Sequence, residues 1–425
     1  RRYAPRNDGF IYMNFIARIC FITIVLFTLS SCGEVSYSTA KQDDDSPSTS
    51  SSDDNSASDS TVFLFATDFS ASGQLYELNY SDDGISVGNT GLTHLGSSAI
   101  IHYLLNELFI LHSGFGTVST DNLQVVDASN DLSISGQFST GNGTNPHDTY
   151  IMDDQAFITL YNPSADDENI DESGDPANVI QMNKDTGTIT MRYSFDDYLN
   201  DDGDKNGNAE KIIAIDDILY VCLQDLESSS FSATSSGLIG IINSTEQEIN
   251  GVIELQGRNP VDIVSSQDGS MLFVANMTTF DFDSSSYEFD NAYGGLEIID
   301  VDSGESTAFI SDNDLGGYIE RLLRNEDKIY AIISAYDEDD GEYLSKVIRF
   351  DDSIEDAGDI ETIIPFEVDI RALFIQENYL WLSSRSSNSD SGISEPYVSI
   401  HDLESGDELD RNDLTVSGIS FAGDK

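Results

Sequence analysis

One acidic loop has the residue types and spacing of a site for a hard cation. Residues 202–210 read DGDKNGNAE, which puts side-chain oxygens at positions 1, 3, 5 and 9, a glycine at position 6 and a backbone carbonyl at position 7. Calcium takes several such oxygens at short range. The predicted ligands are Asp202, Asp204, Asn206, Asn208 and Glu210. The alternative interpretation is an acidic turn, because Asp, Asn and Gly also favour turns for backbone reasons alone.

Signs of catalytic chemistry are sparse elsewhere in the chain. The sequence contains no G-x-S-x-G nucleophile elbow and no phosphate-binding loop. Its five histidines, at positions 94, 102, 112, 147 and 401, are scattered and form no metal-binding spacing. A single tryptophan, Trp381, is too few for a quinone site. We therefore expect no organic cofactor, and a binding role is favoured over catalysis.

The charge balance restricts the partners that the surface can bind. The chain of 425 residues has 77 Asp and Glu against 19 Lys and Arg, and its net charge is -58. Such a surface repels nucleic acid and anionic lipid headgroups. The same charge favours a soluble monomer and attracts cations.

The N-terminal segment indicates export. Arg18 precedes an apolar run at residues 19–29, and small residues follow it, as in a secretory signal. The run is short for a transmembrane helix. LSSCG at residues 29–33 resembles the lipobox of bacterial lipoproteins, which implies a lipid, such as palmitate, on Cys32 and loss of residues 1–31. An ordinary secretory signal is the alternative, and Gly33 after the cysteine favours the outer membrane.

Three regions follow from this reading. Residues 1–31 are the upstream residues and the signal peptide, and residues 32–60 contain the lipidated cysteine and a Ser/Asp-rich segment. That segment has too few apolar residues to form a core, so it is predicted to be a disordered tether. Residues 61–425 form the folded part. Lipid at Cys32 would be the membrane contact of the protein.

The folded region consists of repeats with a common aromatic position. Short apolar runs alternate with turn residues, and no long amphipathic helix is present, which is typical of an all-β protein. An aromatic residue recurs at intervals of 46 to 63 residues in matching contexts. These residues are Phe63, Phe109, Phe157, Tyr220, Phe273, Tyr330 and Trp381. Each repeat reads as four strands, which is the pattern of a β-propeller blade.

The two ends of the folded region complete one repeat. The first repeat lacks its first strand, because residue 61 opens directly into the second. Residues 414–423, LTVSGISFAG, form an additional strand at the other end. We therefore predict an all-β, seven-bladed β-propeller of four-stranded blades, closed by a C-terminal strand that completes blade one.

Two family resemblances add to this prediction. PVDIVSSQDGSMLFVAN at residues 260–276 resembles the repeat of YVTN and lactonase-like propellers, a scaffold that carries many activities. The loop at residues 202–210 resembles the DxDxDGxxD loops of integrin-type propellers, with Asn206 and Glu210 as substitutions. It differs from an EF-hand, because Ile213 stands where the bidentate glutamate would be.

Five acidic residues precede the blade aromatics by 9 to 12 residues, near the start of the predicted innermost strands. They are Asp148, Glu210, Asp262, Glu320 and Asp369. One interpretation is an acidic ring at the mouth of the channel that attracts cations. The alternative is that each carboxylate caps its own turn through backbone N–H groups.

Two hypotheses about function follow. The first is a cell-envelope lipoprotein that presents a propeller as a binding or scaffold module for a protein or a carbohydrate. The second is a metal-dependent hydrolase, lactonase-like, that uses the carboxylates at the channel mouth. Long acidic insertions such as residues 162–177 are predicted on the channel-mouth face, either as binding loops or as solvated excursions.

Overall fold

The computed structural model describes most of the predicted propeller. The described residues are 61–67, 73–92, 95, 98–113, 121–166, 168–199, 206–226, 233, 235–277, 293–337, 342–354, 357–385, 396–415 and 417–423. Cys32, Asp202 and Asp204 lie outside them, as do the signal and the tether. No helix within the described part is long and apolar enough to span a membrane.

Seven sheets of four antiparallel strands stand in a ring, which confirms the predicted fold. From the innermost strand outward, blade 1 contains β28 (Ser417–Gly423), β1 (Val62–Thr67), β2 (Gln74–Ser81) and β3 (Gly84–Asn89). Blade 2 contains β4 (Ser98–Leu104), β5 (Glu107–Ser113), β6 (Asn122–Asp127) and β7 (Ser133–Ser139). Blade 3 contains β8 (Pro146–Met152), β9 (Gln155–Leu160), β10 (Val179–Asn183) and β11 (Ile189–Tyr193). Blades 4 and 5 contain β12 (Ala209–Ile215), β13 (Ile218–Leu223), β14 (Leu238–Asn243) and β15 (Glu248–Glu254); β16 (Pro260–Ser265), β17 (Met271–Asn276), β18 (Gly295–Asp300) and β19 (Glu305–Ser311). Blades 6 and 7 contain β20 (Tyr318–Asn325), β21 (Lys328–Asp337), β22 (Glu342–Asp351) and β23 (Glu361–Val368); β24 (Ile370–Gln376), β25 (Tyr379–Ser384), β26 (Tyr397–Asp402) and β27 (Glu408–Asp413).

Helical structure is confined to single turns in the connections of the described part. α1 (Asp312–Leu315) lies between blades 5 and 6, with Ser311 as its N-cap and Gly316 in the left-handed conformation at its end. The 3-10 turns are Pro163–Ala165, Asp196–Tyr198 and Ala357–Asp359.

Ring closure occurs as predicted. β28 pairs antiparallel with β1, from Val62 opposite Gly423 to Thr67 opposite Ser417. The C-terminal strand is therefore the innermost strand of blade 1. It also packs against the inner strands of both neighbouring blades, β24 and β4.

The hydrophobic core is divided among the seven blade interfaces. Seven apolar clusters each join residues of two successive blades. Each cluster contains one of the seven recurring aromatic side chains, all of them buried. The repeat in the sequence thus reflects one packing task repeated seven times, because a blade cannot bury both of its faces alone.

Antiparallel pairing fixes which loops surround the channel. The connections between strands two and three of a blade, and those between blades, lie at the sheet end where the innermost strands begin. We call this end of the channel the channel mouth. One predicted insertion there, residues 162–177, folds on itself: Asp171 Oδ1 accepts hydrogen bonds from the N–H groups of Ser173, Gly174 and Asp175.

Candidate functional site

The inner strands carry bulges near the channel mouth. The register between the first two strands shifts there in six of the seven blades, blade 2 being regular. A bulge re-aims the side chains beside it and locally disrupts the ladder. Polar side chains at this level can therefore reach the neighbouring blades.

The structure places all five predicted acids at or just before the starts of the inner strands, where they are buried. They lie at three different heights. The height of each acid is its distance along the inner strand from the residue that pairs with the blade aromatic. Asp148 and Asp262 lie two residues before that paired residue, Glu210 and Glu320 three residues before it, and Asp369 five residues before it. Cation binding by the five together stays a prediction.

Charge alternates around the ring at the height of Asp148 and Asp262. Blades 3 to 6 place Asp148, Lys211, Asp262 and Arg321 there in turn. The Nζ atom of Lys211 lies 3.3 Å from Oδ2 of Asp148. At this level acidic and basic side chains alternate from blade 3 to blade 6, and all four are buried.

Two of these carboxylates hold the next blade through its backbone. Asp148 Oδ2 accepts a hydrogen bond of 3.0 Å from the Ile212 N–H, and Asp262 Oδ2 accepts one of 2.8 Å from the Leu322 N–H. The hydroxyl of Ser420 accepts the equivalent bond from the Ile101 N–H at 3.2 Å. These bonds reach a strand of the following blade, and capping by each acid of its own turn stays a prediction.

The first of two charged groups spans blades 2 to 4. We call it the histidine cluster: His102, His147, Asp148, Glu210 and Lys211. His102 Nε2 lies 3.0 Å from Asp148 Oδ1. Burial opposes ionisation of Asp148, but Lys211, His102 and the N–H of the next strand outweigh it and lower its pKa.

His147 is held in one tautomer. The Asn145 amide nitrogen, which can only donate, lies 3.0 Å from His147 Nε2. The ring therefore carries its proton on Nδ1 and donates it to Glu210 Oε2 over 2.6 Å. The imidazole also stacks on Tyr161, with ring centroids 4.3 Å apart. The sequence patterns predicted a site role for Glu210 but none for His147, although His147 directly precedes Asp148.

The second charged group belongs to blades 6 and 7. We call it the arginine cluster: Glu320, Arg321, Asp369, Arg371 and Arg385. Asp369 Oδ2 accepts a hydrogen bond of 2.7 Å from Arg371 and forms an ion pair with Arg385 at 2.9 Å. Burial, with Asp369 nearby, raises the pKa of Glu320 although Arg371 opposes it. Burial and the neighbouring Arg371 lower the pKa of Arg321 to about 9.

Three of the five predicted calcium ligands are described, and all three contact other parts of the protein. Asn208 Oδ1 accepts from the Leu226 N–H at 3.0 Å, and its amide donates to the Tyr161 carbonyl at 3.1 Å. Asn206 Oδ1 accepts from Ser164, while Glu210 is bonded to a histidine. Among the described residues, no three His, Cys, Asp or Glu side chains gather as a metal site. Calcium binding stays a prediction.

A serine–histidine contact lies outside the channel. Ser399 Oγ is 3.0 Å from His401 Nε2, and His401 Nδ1 donates to the Gly406 carbonyl. The cavity beside them, between blades 6 and 7, measures about 20 Å³, which is room for about one water molecule. We assign no catalysis to this pair, because an acyl substrate would not fit.

The fold and the site together define a seven-bladed β-propeller with a charged channel mouth. Comparisons with family models and with curated proteins give no match. A solved structure of the periplasmic gluconolactonase PpgL of Pseudomonas aeruginosa is similar, with 11% identity over 86% of this chain and 99% of that one, at a TM-score of 0.57. A provisional 6-phosphogluconolactonase of Bacteroides uniformis is 11% identical over 86% and 100%, at a TM-score of 0.56. At this identity the likeness shows the fold alone, and membership of the YVTN family stays a prediction.

Proposed function

We propose that the chain is a lipid-anchored binding module of the bacterial cell envelope that recognises a small polar ligand at its channel mouth. One observation carries the proposal. The two clusters gather largely buried charges of both signs from blades 2, 3, 4, 6 and 7 close to the channel mouth.

Structural needs alone do not account for this arrangement. Burying an ion pair is often no better for stability than packing apolar side chains of similar size. The blade interfaces are already closed by seven apolar clusters. The chain is strongly acidic, yet Lys211, Arg321 and Arg371 are buried on inner strands. Ligand recognition would explain why these charged side chains are buried despite the free-energy cost, because polar groups fixed in a concave site confer specificity.

The envelope location rests on the N-terminal segment. The signal-like run and Cys32 support export followed by lipidation, and residues 33–60 would hold the propeller away from the bilayer. One of the structures with the same fold is described as periplasmic. The Gly after Cys32 favours the outer membrane.

Replacing Cys32 by serine is expected to move the protein from the membrane fraction to the soluble fraction. The thiol is the only group in the lipobox-like segment that can accept the lipid, so its loss removes the anchor. Fractionation after metabolic labelling with a palmitate analogue measures both effects. A protein that stays labelled and membrane-bound as Cys32→Ser would show that the anchor lies elsewhere, and Ser31→Ala is the matched control.

Calcium is expected to stabilise the protein through the 202–210 loop. A ligand that binds only the folded state raises the melting temperature with its concentration. We expect 1 mM Ca²⁺ to raise the melting temperature by a few degrees, and Asp202→Asn with Asp204→Asn to abolish the increase. Differential scanning calorimetry in EDTA and in Ca²⁺ measures it. An equal increase in the double variant and the parent would assign the calcium effect to other residues.

The hydrolase alternative has less support from the structure. Asp148, Glu210, Asp262 and Asp369 are bonded to histidine, lysine, arginine or backbone groups, and Glu320 lies beside the donors Ser334 and Tyr318. The two lactonase-like structures share the fold, which carries many activities. The alternative is tested directly by hydrolysis of glucono-1,5-lactone with and without divalent metal. Turnover by the purified chain would replace the binding proposal.

A further inference from the structure

We propose that the arginine cluster and a tyrosine pair on blade 6 form a subsite for a neutral carbohydrate. This inference rests on the proposed binding function and names its ligand class. The subsite combines buried hydrogen-bond acceptors, arginine donors beside them and an exposed aromatic ring at the rim. Vicinal hydroxyl groups with an adjacent apolar ring face match that combination.

The floor of the subsite consists of carboxylate oxygens. Glu320 and Asp369 are 5% and 4% exposed. Ser334 and Tyr318 stand beside Glu320 as hydrogen-bond donors. Among the described residues, Oδ1 of Asp369 accepts no hydrogen bond. A buried acceptor left unsatisfied costs free energy. A ligand that donates hydrogen bonds would recover this cost.

Arginine donors lie beside these acceptors. Arg371 and Arg385 both bind Oδ2 of Asp369, and Arg371 also attracts Glu320 electrostatically. Arg385 is 25% exposed along its side chain, so it links the buried floor to the outside. A hydroxyl group both donates and accepts, whereas a cation would be repelled by the arginines and a carboxylate by Glu320 and Asp369. The mixed donor and acceptor set therefore favours a polyol.

The rim of the subsite is an unusually long hairpin. β21 and β22 have ten residues each, and their end pairs Tyr336 with Tyr343. The two rings pack with centroids 5.1 Å apart, and Tyr336 is 44% exposed. Burial raises the pKa of Tyr343 and Arg371 opposes the rise, so this ring lies within electrostatic range of the cluster. An exposed, supported ring can stack on the apolar face of a sugar.

The charge of the whole molecule selects a neutral ligand. A net charge of -58 repels uronic acids and phosphorylated sugars at long range. A neutral oligosaccharide approaches without that repulsion. Its affinity should therefore depend weakly on salt.

The test titrates the full chain by calorimetry at pH 7 with maltohexaose, cellohexaose and chitohexaose, and with polygalacturonate as the acidic comparison. We expect at least one neutral hexamer to bind. Tyr336→Ala should weaken binding about tenfold or more, because the stacking surface is lost. Tyr198→Ala is the matched control, since Tyr198 is also 44% exposed but lies beyond blade 3. Glu320→Gln should also weaken binding while the melting temperature stays within a few degrees of the parent.

Each outcome decides between the two proposals. Equal affinities of Tyr336→Ala and Tyr198→Ala, binding of polygalacturonate alone, or no bound sugar would overturn the carbohydrate inference. If a screen of small polar metabolites then finds a ligand whose binding needs Arg371, the binding module stands without the carbohydrate. Turnover of glucono-1,5-lactone would instead overturn the proposed function, whatever the sugars do.

Discussion

Replacing Asp148 by alanine is expected to lower the free energy of unfolding by about 3–5 kcal/mol, because removing one partner of a buried charge network leaves the others uncompensated. Asp148 is 1% exposed. Its two oxygens contact His102 of blade 2, and Lys211 and the Ile212 N–H of blade 4. Loss of the carboxylate therefore leaves His102 at one interface, and Lys211 and the Ile212 N–H at the other, without this acceptor.

Urea unfolding followed by tryptophan fluorescence measures the loss, and Asp148→Asn separates charge from shape. The amide keeps one acceptor oxygen, so Asp148→Asn should be less destabilising than the alanine variant. Asp302→Ala is the control, because Asp302 is exposed and lies in a turn. Asp148→Ala and Asp302→Ala with equal midpoints would refute a role for Asp148 in holding the blades together.

The same contacts make this contribution pH-dependent. The pKa of Asp148 is lowered in the folded state, so its carboxylate stabilises the fold at pH values above its unfolded pKa of about 4. That stabilisation disappears as the pH falls through the lowered folded value. The difference in stability between the parent and Asp148→Asn should thus be full at pH 7 and shrink below about pH 4.

The fold could be predicted from the sequence because one physical requirement is repeated seven times. A blade interface needs a large buried aromatic, and Phe157 and Phe273 satisfy it in the same sequence context. The missing first strand of blade 1 also had only one source, the surplus strand that became β28. Local sequence patterns were sufficient because each strand, and the closing strand, was predicted from residues within one repeat or at an end of the folded region.

The contacts of the site depend on residues from different blades, and this is where sequence reasoning stopped. His102 and Lys211 reach Asp148 from two other blades, and no local pattern records that meeting. Distance from the aromatic along the sequence also does not give the level of each acid along its inner strand. The hairpin of blade 5 is longer, so Asp262 shares its height with Asp148 despite a different spacing.

Many acidic residues of the chain accept hydrogen bonds within their own turns. An acidic motif therefore does not by itself identify a cation site. Asp300 and Asp402 accept hydrogen bonds from Ser303 and Ser405 within their own turns, and these bonds lower the pKa of both carboxyl groups. Asn208 stands in a calcium-like spacing, yet its side chain ties two backbone segments together. Spacing alone does not separate these uses, because turn formation and cation binding favour the same residue types.

Deleting β28 is expected to abolish cooperative folding of the ring. The strand buries Ile419, Phe421 and Ala422 in two blade interfaces, and losing large buried side chains costs about 2–5 kcal/mol each. That sum is comparable with the whole stability of a typical domain. The deletion also exposes the edge of β1, whose six residues are all buried, and such an edge invites aggregation.

A chain that ends at Asp413 tests this expectation against a control that lacks only residues 424–425. Calorimetry should show a cooperative transition for the control and none for the shortened chain. Phe421→Ala, which keeps the strand but removes its contact with Phe374, should fold with about 3–5 kcal/mol less stability. A synthetic peptide of residues 414–425 should restore the transition by adding the missing strand to the edge of β1, as in strand complementation. A cooperative transition without the peptide would mean that six blades and an open seventh suffice, and ring closure would then contribute less than the apolar contacts of β28 indicate.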